Sequence, residues 1–177
     1  MNKTLLSSLI MLSFTFSAQA EEWTLFSKNN TTPKYALALI AGSSDLDEHD
    51  SSGDLYGAEI SFICPFIQAS EHTIRQQISI TKFQKKGFDM YTLEANPHYL
   101  YQLESNTYLG FGPSIGVSSI DGSDSDNTVV TFGLGASLHK NITPKLFLGA
   151  EFRTVYATDT HIDNVRLIGK VGYYFNK

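Results

Sequence analysis

The chain has 177 residues, 42% hydrophobic and 18% charged, with 13 basic against 18 acidic side chains and a single cysteine. That length suits one domain, and the apolar content excludes a disordered chain. One cysteine excludes a disulfide framework or a Cys-rich zinc site, and a net charge of −5 argues against nucleic acid as a partner.

Residues 1–20 have the three parts of a secretory signal in order. Lys3 supplies the positive start, Leu5 to Phe16 is a mostly apolar run, and Ser17-Ala18-Gln19-Ala20 ends in the small-x-small pattern of a cleavage site. The run is shorter than the ~20 residues that a spanning helix needs. No cysteine follows it, so a lipoprotein anchor is not expected. Residues 21–33, with their Asn, Thr and Pro content, read as a periplasmic lead-in of little order, and 34–177 as the folded domain.

No helical periodicity follows. Period-two alternation recurs instead, and it predicts strands near 34–41, 55–66, 73–83, 90–102, 107–118, 128–140, 145–156 and 164–175. Many exceed the usual five or six residues and reach the nine to eleven that a tilted strand needs to cross a bilayer. The connections alternate in kind. Those at 67–72, 103–106 and 141–144 are compact, and those at 42–54, 84–89, 119–127 and 157–163 are mostly longer and polar, as on the two rims of an outer-membrane barrel.

Each strand sorts its side chains into two sets, because successive residues point to opposite faces. One set is apolar: Tyr56, Ala58, Ile60 and Phe62 on the second strand, Val130, Phe132, Leu134, Ala136 and Leu138 on the sixth. Its aromatics, among them Tyr35, Tyr91, Tyr101, Tyr156 and Tyr173, fall towards strand ends, as interfacial girdles do. The other set is small, polar or charged. A soluble eight-stranded barrel needs an apolar lumen and a polar exterior, so this sign of alternation points to lipid outside. Pro97 and Pro113, mid-strand on the apolar face, predict bulges.

Glu59, Glu94, Glu151, Arg75, Arg153, Arg166 and Lys170 all fall on the polar parity. An eight-stranded lumen is just wide enough for side chains to fill, and charges inside it must pair. They are expected to form an ion-pair plug, with a gated pore as the alternative. The acidic segments with Asp45, Asp47, Glu48 and Asp50, and with Asp121, Asp124 and Asp126, are expected to be solvated outer loops. Weak cation binding there is a lesser reading, since neither keeps the ligand order of a calcium loop. No metal site and no cofactor are expected. Catalysis would need Ser, His and a carboxylate within reach. Ser137, His139 and Glu151 share the lumen face, away from lipid, so the chain is not expected to be an enzyme.

With these residues in view, the chain resembles the small eight-stranded outer-membrane barrels: the OmpA transmembrane domain, the OmpX/Ail proteins and the opacity-like adhesins. The final strand, with Val171, Tyr173 and Phe175 alternating towards the C-terminus, is similar to the signal that the barrel-assembly machinery reads, although Asn176 and Lys177 follow it. Tyr108-Leu109-Gly110-Phe111-Gly112-Pro113 is similar to the Gly-rich fifth strand of opacity-like barrels. Such barrels serve unrelated tasks. The resemblance implies an all-β, eight-stranded, antiparallel, up-and-down transmembrane barrel in a bacterial outer membrane. Expected partners are outer-membrane lipid and lipopolysaccharide, the assembly machinery during biogenesis, and an unknown extracellular ligand; the protein is expected to be a monomer. A structural or adhesin-like role is the first reading, with a narrow channel or a lipid A-modifying enzyme as alternatives.

Overall fold

The computed structural model describes residues 24–25, 34–46, 51–64, 67–68, 73–85, 88–122, 127–158 and 162–175. Among them are eight long strands: β1 (Ala36–Leu46), β2 (Ser51–Ile63), β3 (Thr73–Lys85), β4 (Phe88–Glu104), β5 (Thr107–Gly122), β6 (Asn127–Asn141), β7 (Leu146–Ala157) and β8 (Asn164–Tyr174). Each pairs antiparallel with the next, and β8 pairs with β1 to close the ring. The closing register sets Arg166 opposite Ser44 and Lys170 opposite Ile40. Closure leaves no sheet edge, the condition for a β-structure whose exterior has no water to satisfy backbone groups.

The elements follow the alternation in the sequence, and the largest differences lie at the end away from the termini. β1 runs to Leu46 and β2 begins at Ser51, so most of the loop expected at 42–54 is ladder, with Asp45 paired to Ser52 and to Val165. β5 runs to Gly122 and carries Asp121 with it. Polar, acidic residues suggest loops by composition, but a hairpin ladder continues as long as both partners can pair. At the terminal end, Thr24–Leu25 pairs antiparallel with Ile67–Gln68, so part of the expected lead-in is ordered against the first turn. The proposed signal at 1–20 lies outside the described residues.

The two prolines produce no bulge. The β4–β5 register is the same on either side, Ala95 opposite Ile115 and Tyr99 opposite Phe111, and pairing is interrupted between them, where Pro97 and Pro113 stand. Proline removes a donor without adding a residue, so the ladder breaks and does not shift. The shift lies lower, between Gln102 and Glu104.

Tight closure also needs close backbone approach. A Cβ at Gly42 would run into the carbonyl oxygen of Leu167, at Gly57 into that of Ile80, at Gly112 into that of Pro97 and at Gly133 into that of Thr154. These four contacts fall at the β8–β1, β2–β3, β4–β5 and β6–β7 interfaces, every second one around the ring. Glycine at such points lets a strand bend sharply enough to close a small barrel. Gly169 differs: it faces outward, and the nearest atom to an added Cβ is 3.5 Å away. Gly57→Ala is therefore expected to lower unfolding stability by about 1–3 kcal/mol, and Gly169→Ala to change it little, in urea titrations of the refolded barrel.

Candidate functional site: the barrel lumen

The wall has opposite chemistry on its two sides. Along β8 the burial alternates at every residue: Asn164, Arg166, Ile168, Lys170, Gly172 and Tyr174 point in, and Val165, Leu167, Gly169, Val171 and Tyr173 point out. Arg166 is fully buried while Leu39 and Leu167 are 70% and 62% exposed. A single exposed leucine is ordinary, but here large apolar side chains from all eight strands form one continuous exposed band.

Inside, six of the seven expected ionic residues form an alternating chain. Glu59 accepts from Lys170 Nζ, which also meets Glu151 and donates to Gln77 Oε1 at 2.9 Å. Glu151 also accepts from Arg153, whose Nε is 2.8 Å from its Oε1. Arg153 Nη1 and Arg166 Nη1 both donate to Glu94 Oε2 at 2.7 Å. Arg166 Nε then donates to Asn164 Oδ1 at 2.7 Å. Three acids and three bases thus alternate, each charge beside its opposite. Two-residue spacing on β7 brings Glu151 and Arg153 to one face, and closure of the ring brings β8 to β2 across β1.

Arg75 stands apart from this chain, contrary to the expectation that it pairs with a glutamate. Its Nη2 donates to the Tyr174 hydroxyl at 2.9 Å and its Nη1 lies 3.1 Å from His139 Nε2. The guanidinium carbon lies 5.6 Å from the Phe147 ring centroid and 5.2 Å from that of Tyr174. Arg75 enters β3 from its terminal end, below the level of the glutamates, and there the neighbouring inward residues are aromatic. Delocalised charge over aromatic faces replaces an acid. Tyr174 completes the cap by donating to Asn141 Oδ1 at 3.1 Å. Its inward parity follows from the outward parity of Tyr173 and Phe175.

The other end of the lumen is apolar. Leu46, Leu55, Phe83, Met90, Ile120, Val129 and Ile162 form a buried cluster with Ile40 and Ile168. The interior therefore has three layers: an apolar cluster at the far end, the ionic chain in the middle, and the Arg75 cap at the terminal end.

The expected Ser137 and His139 do not bond to each other. Ser137 Oγ lies 3.0 Å from His98 Nδ1, and His98 Nε2 is 4.0 Å from Glu151 Oε1. The histidine that reaches Ser137 comes instead from β4. All three side chains are buried. Asp45 and Asp121 are exposed on strands, and Asp47, Glu48, Asp50, Asp124 and Asp126 lie outside the described residues. Among the described residues no three His, Cys, Asp or Glu side chains form a metal-holding group.

No family model and no curated protein sequence matches the chain. Solved structures do match in fold. Ail, the attachment invasion locus protein of Yersinia pestis, superposes with a TM-score of 0.57 at 11% identity, over 80% of this chain and 96% of that one. Neisserial surface protein A superposes with a TM-score of 0.55 at 18% identity, over 81% and 97%. The outer membrane enzyme PagL superposes with a TM-score of 0.53 at 12% identity, over 77% and 97%. The chain has the fold of the small eight-stranded outer-membrane barrels.

Glu94 is the acceptor that two arginines share. Glu94→Ala leaves both guanidinium groups short of a buried partner, and unfolding stability is expected to fall by about 3–5 kcal/mol. Asp45→Ala, at an exposed position, is expected to stay within about 0.5 kcal/mol of the parent. Urea-induced loss of β-signal in detergent measures both.

Proposed function

We propose that the chain is a bacterial outer-membrane protein, exported by residues 1–20, whose barrel anchors a surface-interacting end and whose lumen is plugged. The observation that carries this reading is the reversed sidedness: arginines, glutamates and a lysine buried within, and leucines, isoleucines and aromatics exposed without. Lipid is the solvent that favours that arrangement. Tyr56, Tyr91 and Tyr156 sit at the far end of the exposed band, and Tyr35, Tyr101, Tyr173 and Phe175 at the terminal end. This suits the two interfaces of a bilayer. Lys82 fits the same picture, since it faces outward with Nζ 2.6 Å from Asp89 and 5.2 Å from the Tyr91 centroid, at headgroup height.

The far end is the outer one in this placement, with both termini in the periplasm. Asp45, Asp54 and Asp121 are exposed there. They give the outer rim an acidic character suited to a partner outside the cell, with lipopolysaccharide as the surrounding lipid. Two of the matched folds carry surface or attachment names, which supports an interaction role. An enzymatic role has a matched fold in PagL, but the Ser137–His98 pair is buried on the lumen side, away from the exposed apolar band. The plug rests on the alternating ion chain between the apolar cluster and the Arg75 cap.

Leu39→Arg tests the placement. On a water-soluble barrel, arginine at so exposed a position would be harmless. In a bilayer it is expected to cost about 2–4 kcal/mol near the midplane, with slower folding into phosphatidylcholine vesicles. Equal folding of parent and variant into vesicles would contradict the reading. Unchanged lipid A mass spectra in cells with and without the protein are expected; a change would favour the enzyme.

A further inference from the structure

Among the described residues, the exposed lysines at the terminal rim are gathered on one side. Lys140 ends the outward row of β6, Lys145 lies in the turn before β7, and Lys34 precedes β1. The ladders join these positions into one arc. Lys140 lies opposite Leu148, which lies opposite Val171, which lies opposite Leu39. Tyr174 N–H donates to the Lys145 carbonyl at 2.8 Å, and Phe175 N–H to the Tyr35 carbonyl at 3.0 Å. Aromatic and aliphatic side chains are interleaved with the lysines: Tyr35, Ile142, Tyr173 and Phe175 are all exposed, and Lys145 Nζ lies 5.8 Å from the Tyr173 centroid. Among the described residues no acid lies on this arc. Glu104, at the end of β4, lies two strands beyond the Lys140 end of the arc, across Thr107. The far-end Lys82 is already neutralised by Asp89.

A membrane interface presents apolar chain ends and, just above them, phosphate oxygens. Exposed rings beside exposed ammonium groups match that pair of chemistries, each ring held in the interface and each lysine reaching past it. We propose that this arc binds the anionic headgroups of phospholipids in the leaflet at the terminal end, an inference that rests on the bilayer placement above. The arc covers β6, β7, β8 and β1 only, so anionic lipid gathers on one flank of the barrel and the opposite flank stays neutral towards it.

The full chain is refolded in phosphatidylcholine bicelles and titrated with phosphatidylglycerol while backbone amide shifts are followed by NMR. Saturable shifts are expected at residues 34–37, 140–146 and 171–175, weakening as salt is added. The K140Q/K145Q pair is expected to weaken binding about tenfold or more without loss of the barrel fold, and K82Q to leave it unchanged. Shifts spread evenly around the rim, shifts at the far end, or equal binding by K140Q/K145Q overturn the arc. A folded barrel without preference for phosphatidylglycerol overturns the arc alone. A chain that fails to fold in bicelles overturns the bilayer placement and the arc with it.

Discussion

The alternating chain from Glu59 through Lys170, Glu151, Arg153 and Glu94 to Arg166 is the interaction on which the rest of the molecule depends. At mid-height the inward-facing side chains are polar or charged and buried, and polar groups out of water must satisfy one another. Alternation of charge along the chain does this with no net charge among its six members. Packing hydrophobic residues in place of such pairs is often as stable, whereas removing one partner strands the other charge. Glu94 ties β4 to β7 and β8 across the lumen, and Lys170 ties β8 to β2.

The two ends of the lumen solve the same problem differently. At the far end the wall continues past the exposed aromatics, and the interior turns apolar, from Leu46 and Leu55 through Phe83 and Met90 to Ile162. There hydrophobic burial helps hold the ring closed. At the terminal end Arg75 is held by Phe147, Tyr174 and His139, a cap that spreads its charge over rings.

Strand order, closure and sidedness were legible in the sequence because the side-chain period of a strand is two and the two faces differ so sharply in polarity. One parity assigned Arg166 and Lys170 inward and Val165, Leu167 and Val171 outward, and the structure places each there. Partners were less legible. Parity gives the face of Arg75 and not its height, and height decides whether it meets a glutamate or an aromatic cap. Which side chains meet depends on strand stagger, which period-two patterning does not encode: His98 on β4, across β5 from Ser137 on β6, reaches it where His139 does not. The far-end strands ran longer than expected because composition marks solvent exposure, and Asp45 is exposed on a strand as readily as in a loop.

The most direct measurement of the central claim is conductance of the purified barrel in a planar lipid bilayer. A lumen filled by the ion chain, with an apolar cluster above it and the Arg75 cap below, predicts insertion of the barrel without steady current at either polarity, and current only after a break such as Glu151→Ala loosens the middle layer. Steady ohmic conductance from the unmodified barrel would contradict a plugged lumen and make this protein a channel.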